Sequence, residues 1–470
     1  MFIFDSVKKQ KVKFEPIVPN EVRIYLCGPT VYDNAHLGHA RSSITFDLLF
    51  RILKTNGYKV TFVRNFTDID DKIVKKSKEV NKSVEEIATT YTKSYLEDME
   101  SLGVQRATLE PKATQNLESM FKMIQKLLDK GSAYKAPNGD IYMRVSKDSK
   151  YGTLSNRANL ESQISRIGES EYKEDVKDFA LWKIFENDVN YPSPFGRGRP
   201  GWHIECSAMI DEHLAYKDKE YSIDIHAGGV DLFFPHHENE ASQSRCVNNK
   251  ELAKYWIHNG FVNVNGEKMS KSLGNSFFIK DALKVYDGEV LRYYLLSMHY
   301  RAPLNFSHND LMQSKKRLDR LYRLKKRLGS DFESKNLKID SSFRESFLLA
   351  LSDDINISIA LSILDSMLSS YNDLLDKNPK DKEIKEMASS NILFINDLLG
   401  IGLKDATSYF HIGVSEKLKD YINSKIQERD LAKKAKDYIL SDKIRDELKS
   451  KGISLLDTKD GVLWEYEPED

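Results

Sequence analysis

Two short strings place phosphate-binding side chains in one chain: His36-Leu37-Gly38-His39 near the start and Lys268-Met269-Ser270-Lys271-Ser272 past the middle. Imidazoles and ammonium groups are the side chains that meet the charge building on a polyphosphate when its α-phosphorus is attacked. His36 and His39, three apart, share one side of any helix that starts there, and the unpaired N–H groups of a helix start already favour phosphate. Gly38 between them has no Cβ, which lets an adenine or ribose approach the backbone. Lys268 and Lys271 sit where a mobile loop can close on a β,γ-diphosphate. Each string alone also has a plain reading, a capping histidine with a surface histidine and a solvated Lys/Ser loop.

A second set of residues suits a metal. The chain has three cysteines, Cys27, Cys206 and Cys246. An odd, low count fits a reducing compartment better than a disulfide framework. Cys206 lies in Gly201-Trp202-His203-Ile204-Glu205-Cys206-Ser207, and His236 and Glu240 lie four apart in Phe233-Phe234-Pro235-His236-His237-Glu238-Asn239-Glu240. Two thiolates, one imidazole and one carboxylate make a four-ligand set suited to zinc. The spacing contains no Cys-x-x-Cys, so buried free thiols and a polar helix start remain open from spacing alone.

These side chains need elements to hold them. Arg23–Cys27 reads as a buried strand broken by Gly28-Pro29. Ala40–Leu53 reads as a helix with Ile44, Leu48 and Ile52 on one apolar face. Phe261–Glu267 alternates like a hairpin, with Gly274-Asn275 behind the lysines. The expected fold class is α/β: a Rossmann-like parallel-sheet catalytic domain with an insertion, then an α-helical bundle and a small C-terminal domain. The expected segments are 1–110 and 199–245 for the two halves of that domain, 111–198 for the insertion, 246–310 for the region carrying the lysine loop, 311–400 for the bundle and 401–470 for the tail. The insertion includes a hairpin-like Ala133–Val145. Gly402–Gly413 reads as a linker, and Val414–Lys451 as a long charged helix interrupted or bent near Ser441, followed by a strand pair around Asp460-Gly461.

Composition bounds the rest. At 470 residues, with 40% hydrophobic and 30% charged residues, the chain reads as a globular protein of several domains. Met1–Gln10 has no apolar core long enough for secretion, and no uncharged apolar run approaches membrane-spanning length, so a cytoplasmic protein is expected. Basic and acidic residues balance at 71 each, so any nucleic-acid contact must rest on local patches. One such patch is Leu311–Gly329, where Lys316, Arg320, Arg323 and Arg327 align opposite Leu318, Leu321 and Leu328. It reads as a stripe for phosphates or as a solvated helix face.

The two strings in this order resemble the ATP-site motifs of class I aminoacyl-tRNA synthetases. Cys27-Gly28-Pro29-Thr30-Val31-Tyr32-Asp33, Asn65-Phe66-Thr67-Asp68-Ile69-Asp70-Asp71-Lys72, Gly201–Ser207, Gly228-Gly229-Val230-Asp231-Leu232 and Pro235–Glu240 narrow the resemblance to the cysteinyl-tRNA synthetase family, over essentially the whole chain. The resemblance implies one zinc ion on Cys27, Cys206, His236 and Glu240, with His237 and Cys246 structural. It also implies ATP and L-cysteine as substrates, Mg2+ with the pyrophosphate, tRNA(Cys) as partner and a monomer. It places Trp202, Thr67 and His226 in the amino-acid pocket with Cys27, and Asp231 on the amino group or ribose. Zinc prefers a soft thiolate to a hydroxyl, so no editing domain is expected. The tail would read the anticodon through Lys433, Tyr438, Asp442 and Asp457, with Arg429, Asp430, Lys434 and Asp437 nearby. Tyr438 stands where bacterial relatives commonly have Trp, and Lys433 where they have Arg. Two rivals share parts of this pattern. A cysteine ligase acting on an amino sugar would lack the tail, and a noncatalytic relative would have lost an ATP-site His or Lys.

Overall fold

Strands buried on both faces read as near-continuous apolar runs, and helices must then cover the sheet. Tyr221–Gly229 and Glu251–Asn259 are buried along most of their length, and Glu21–Leu26 and Lys59–Arg64 along their second halves. In the computed structural model they form a four-stranded, all-parallel sheet in the order Glu251–Asn259, Tyr221–Gly229, Glu21–Leu26, Lys59–Arg64. The structure describes residues 1–155, 172–185, 188–264, 267–268, 277–329, 338, 340–458 and 461–466. Helix Leu37–Thr55 links Glu21–Leu26 to Lys59–Arg64, and helix Glu238–Asn248 links Tyr221–Gly229 to Glu251–Asn259. The strand order therefore reverses between Glu21–Leu26 and Tyr221–Gly229. In open parallel sheets the crevice beyond the carboxyl ends of two such strands is where ligands bind.

Between the two halves of the sheet lies an antiparallel sheet of Ala133–Lys135, Ile141–Met143, Phe179–Ile184 and Gly198–Pro200. Arg199, buried at its end, pairs with Asp71 at 2.7 Å and so ties this sheet to the start of helix Asp71–Val80. Helices His308–Leu328, Ser341–Leu351, Ile357–Lys377 and Lys382–Leu399 follow the lysine-loop region.

The stretch expected to be a linker is pinned. It contains helix Ala406–Phe410, and buried Glu289 accepts the N–H groups of Gly402 (2.7 Å) and Leu403 (3.2 Å). Lys325 donates to the carbonyls of Gly402 and Lys404, and the Tyr322 and Tyr409 rings stack at 3.7 Å. The tail helix is interrupted, as expected, a few residues from Ser441. Helices Glu416–Lys434 and Tyr438–Lys449 are separate, because Lys436 is left-handed at φ 61° and Asp437 caps the second helix on Leu440 N–H. The break thus falls before Ser441. Ile453–Thr458 and Gly461–Tyr466 pair antiparallel, and Asp460 lies outside the described residues.

A buried ion cluster joins these parts. Arg292 donates to Asp47 and to the carbonyls of Leu399 and Leu102. Arg51 pairs with the same carboxylate at 2.9 Å and reaches the carbonyls of Asp397 and Gly103. One carboxylate thereby fixes helix Leu37–Thr55, the turn at Leu102-Gly103 and the end of helix Lys382–Leu399. Arg292→Met leaves Arg51 on Asp47 but strips the buried carbonyls of Leu399 and Leu102 of their donor; it should cost about 1–3 kcal/mol and lower the thermal midpoint. A melt of Arg292→Met matching that of the parent chain would contradict the account.

Candidate active site

The strand Glu21–Leu26 delivers Cys27 to the crevice, where its N–H donates to Ala227 O at 3.1 Å. Gly28 has to be glycine, since a Cβ there would lie 1.6 Å from the carbonyl oxygen of Asn65. Helix Trp202–His213 brings in Cys206, the turn Phe233–His237 brings His236, and the first turn of helix Glu238–Asn248 brings Glu240. One donor atom from each of Cys27, Cys206, His236 and Glu240 lies within 4.8 Å of the others. The two sulfurs are 3.9 Å apart, and His236 Nε2 is 2.8 Å from Glu240 Oε1. A second group, Cys27, His226, His237 and Glu240, converges equally closely. His237 Nε2 lies 3.4 Å from Cys27 Sγ, so this residue lines the cluster itself.

Supporting contacts orient the donors. His236 Nδ1 sits 2.9 Å from His203 Nδ1, which turns Nε2 towards Glu240. His226 Nε2 holds Glu240 Oε2 at 2.7 Å, which leaves Oε1 to the cluster. His237 Nδ1 meets His258 Nε2 at 2.8 Å, and His258 Nδ1 meets Ser6 Oγ at 2.8 Å. Of the eleven histidines, His203, His226, His236, His237 and His258 all gather here.

The charges follow from burial and neighbours. Cys206 is pulled down to about 6, first by the Cys27 thiol hydrogen-bonded to it and also by His236, against the pull of burial. Cys27 is pushed well up by burial, Cys206 and Glu240. Burial works to raise Glu240, but His226 and His236 outweigh it and hold the carboxyl at about 2. Burial works to lower His236, yet Glu240 and Cys206 raise it to about 10. Burial drives His203 and His258 down to about 3 and His237 well down, so these rings are neutral. Two buried anions thus converge and need positive charge between them, which an imidazolium or a divalent cation supplies.

The histidine pair forms the start of helix Leu37–Thr55. His36 is the N-cap, its Nδ1 accepting Gly38 N–H at 3.1 Å, and His39 Nδ1 accepts His36 N–H at 3.2 Å. The rings stack at 3.8 Å. Both Nδ1 atoms act as acceptors, so a neutral ring carries its proton on Nε2. Gly38 makes room for the His36 ring, which a Cβ would meet at 2.9 Å. Lys268 lies in the short strand Glu267–Lys268, paired with Asn263. Lys271 lies outside the described residues. Phe278, beyond that loop, bridges to His36, and Leu37 N–H donates to Phe277 O at 3.2 Å. One stem of the lysine loop is therefore bonded to the histidine turn.

Trp202 stacks on His236 at 4.1 Å and stays 40% exposed, an open wall beside the cluster. Thr67 is buried, its N–H on Pro29 O at 3.2 Å. His226 is buried and stacks on Trp256 at 4.7 Å. Asp231 lies at the rim, in the turn after Tyr221–Gly229. Sequence reasoning missed His203, His258, Glu205 and Asn65. Glu205 is buried; burial, then Cys206 and Asp70, push its carboxyl well up while a hydrogen bond with the Thr67 side chain opposes them.

Several basic residues away from the crevice are engaged within the chain. Arg320 pairs with Asp365 at 3.1 Å and Arg323 with Glu465 at 3.1 Å, so the expected stripe is not an open row of cations; Lys316 is exposed on the same helix. In the tail, Asp457 accepts from Arg429 at 2.7 Å and Lys433 at 2.8 Å. Tyr438 is 63% exposed and Asp442 is exposed beside it.

Comparison with known proteins bears on this arrangement. The family described as "tRNA synthetases class I (C) catalytic domain" matches residues 13–316. A cysteine–tRNA ligase of Helicobacter hepaticus is 59% identical, covering 98% of this chain and 99% of its own. One of a Nitratiruptor species is 60% identical, covering 99% and 100%. Among solved structures, Mycobacterium tuberculosis methionyl-tRNA synthetase with methionyl-adenylate shares the fold, with a TM-score of 0.60 at 13% identity over 81% of this chain and 92% of that one.

The geometry yields a test of the metal cluster. Cys206→Ser removes one of two soft donors and should reduce bound metal from about one per chain to little or none, measured by elemental analysis after dialysis. Cys246→Ser, outside the cluster, should keep it. Full metal retention in Cys206→Ser would overturn the donor set.

Proposed function

The chain belongs to the cysteine–tRNA ligase family of class I aminoacyl-tRNA synthetases, and we propose on that footing that it joins L-cysteine to tRNA(Cys) in two ATP-driven steps. The observation that carries the substrate choice is the buried donor set at the strand-order switch, with two thiols in reach of one point. We assign Cys27, Cys206, His236 and Glu240 as zinc ligands. The group containing both sulfurs suits zinc better than the group with one, and His203 and His226 orient its nitrogen and oxygen donors. A zinc ion held there supplies a soft Lewis acid that distinguishes a thiol from a hydroxyl. A hydrophobic pocket cannot strongly make that distinction between near-isosteres.

In the first step the cysteine carboxylate oxygen attacks the α-phosphorus of ATP in line. The bond from that phosphorus to the β-phosphate bridging oxygen breaks, giving cysteinyl-adenylate and pyrophosphate. His36 and His39 present Nε2–H groups to the charge that develops, with the helix start behind them. Lys268 and Lys271 hold the pyrophosphate, together with the Mg2+ that accompanies ATP. The bonded stem at Phe277-Phe278 lets closure of the lysine loop register on the histidines. The nucleotide lies over the turn at Gly38, whose missing Cβ admits the His36 ring, and Asp231 holds its ribose or the substrate amino group. Trp202, Thr67, His226 and Cys27 surround the amino acid. In the second step a ribose hydroxyl of the terminal adenosine attacks the carbonyl and AMP leaves.

The tail contributes the anticodon contacts through Lys433, Tyr438, Asp442 and Asp457, with Lys316, Arg320 and Arg323 along the tRNA body. The presence of that tail favours this reading over ligation to an amino sugar. Among the described residues no helix is long and apolar enough to cross a membrane, and we place the enzyme in the cytoplasm as a monomer.

Cysteine-dependent ATP–pyrophosphate exchange on the purified chain tests the reading. Exchange with cysteine and none with serine is expected, and a metal-loaded, folded chain that gives no exchange contradicts it. His39→Ala should lower the exchange rate about 10²–10³-fold with metal content unchanged. Charging of tRNA(Cys) should follow, and tail variants such as Asp442→Ala should lower charging while leaving exchange intact.

A further inference from the structure

The proposed first step uses His36 and His39 together with Lys268, which lie far apart in the chain. One stem of the lysine loop is bonded to the histidine turn at Phe277 and Phe278. The other stem is the strand Val262–Val264, whose Asn263 pairs with Lys268. That strand lies parallel to Leu304–Phe306, with Val262 opposite Leu304 and Val264 opposite Phe306. Leu304 N–H donates to Phe261 O at 2.9 Å, and Gly260 N–H donates to Tyr300 O at 2.8 Å. The placement of Lys268 therefore depends on what holds residues 299–306.

Arg41 holds them. It stands two residues after His39 in helix Leu37–Thr55 and is 1% exposed. Its Nη2 donates to the carbonyls of His299 (3.1 Å), Tyr300 (3.4 Å) and Ala302. Tyr294 secures the far end of the same strand: its hydroxyl donates to Asn305 O and accepts Ser307 N–H, both at 3.1 Å. The Phe306 ring then packs on Phe277 at 4.8 Å, which joins the two stems.

This arrangement is costly. All three bonds of Arg41 go to carbonyl oxygens, and its Nε and Nη1 are buried without an acceptor among the described residues. Burial pulls its guanidinium down to about 10, while Tyr294 opposes that pull. A buried cation answered by carbonyls alone is expensive, and an apolar side chain of similar volume avoids the expense. Stability alone therefore does not call for a guanidinium here; its reach over three carbonyls does.

We infer, resting on the function proposed above, that Arg41 is a positioning residue of the adenylation step: it fixes the stem that carries Lys268 against the helix that begins at the histidine pair, and so sets the span between imidazoles and ammonium before ATP arrives. A guanidinium suits the task because one planar group spreads its donors over several oxygens. The single ammonium of Arg41→Lys keeps the charge with a smaller reach.

The test is a pair of double-variant cycles on the full chain, read by cysteine-dependent pyrophosphate exchange, with metal content and cysteine Kd measured on every variant. Arg41→Met should lower the exchange rate about 10²-fold with metal content and cysteine Kd unchanged, and Arg41→Lys should recover part of the loss. Added to Lys268→Ala, Arg41→Met should change the rate by less than about twofold, because residues acting through one contact do not add. Added to His39→Ala, it should keep its full factor. An unchanged rate in Arg41→Met overturns the inference. So do equal losses in both backgrounds, which a general disturbance of the fold would give, and so does masking by His39→Ala. If Arg41→Met does not fold, Arg41→Lys enters the same cycles. Hydrogen exchange gives a readout independent of catalysis. Amides of 260–264 and 302–306 should exchange faster in the Arg41 variant while Glu21–Leu26 keeps its protection, and unchanged protection of both segments overturns the inference. A folded, metal-loaded parent chain without pyrophosphate exchange would instead overturn the ligase reading, and hydrogen exchange would still decide whether Arg41 holds the stem.

Discussion

The constraint on which the site depends is the gathering of ionised groups inside a dry core. Cys206 and Glu240 are buried and held in their charged forms by their neighbours. Isolated buried charges are expensive, and they persist only when paired and hydrogen-bonded. His203, His226 and His237 offset that cost locally, each with one nitrogen turned to a donor of the set or to another ring. The proposed divalent cation would complete the balance and account for so much polar surface buried at one end of a parallel sheet.

The sheet makes this possible because its strand order reverses at the right place. Cys27 leaves one central strand and the segment carrying His236 and Glu240 leaves its neighbour. The same reversal opens the crevice where helix Leu37–Thr55 begins, so the proposed phosphate chemistry and the proposed thiol recognition would share one mouth. The buried Asp47–Arg292 pair extends the frame to the helical region, and Glu289 fixes the chain that leads on to the tail. The proposed anticodon contacts are therefore borne on a segment anchored to the same helix, Gly288–Leu296, that holds Arg292.

Much of this was legible in the sequence. The strand before Cys27 and the helix after His39 follow from apolar periodicity and from the Gly28-Pro29 break. Their positions agree with the structure to within a few residues. The i,i+4 spacing of His236 and Glu240 anticipated their contact. Other features were hidden because they depend on partners distant in sequence. Asn65 meets Gly28 across 37 residues, and nothing in the local string announces that contact. The stretch Gly402–Gly413 is polar like a linker, yet a carboxylate 113 residues away pins it. The basic face of helix His308–Leu328 has the pattern of a phosphate stripe, while Asp365 and Glu465 engage its arginines. Charge patterning reports composition of a face, and only the fold shows what that face meets.

The central claim is that Cys27, Cys206, His236 and Glu240 would hold a zinc ion that selects the substrate by its thiol. X-ray absorption at the zinc edge of the purified chain, with and without L-cysteine, tests it most directly. The account predicts about two sulfur scatterers near 2.3 Å together with nitrogen and oxygen near 2.0–2.2 Å. It predicts one more sulfur when L-cysteine is added and no change with L-serine. A zinc shell without sulfur, or one that L-cysteine leaves unchanged, would contradict it.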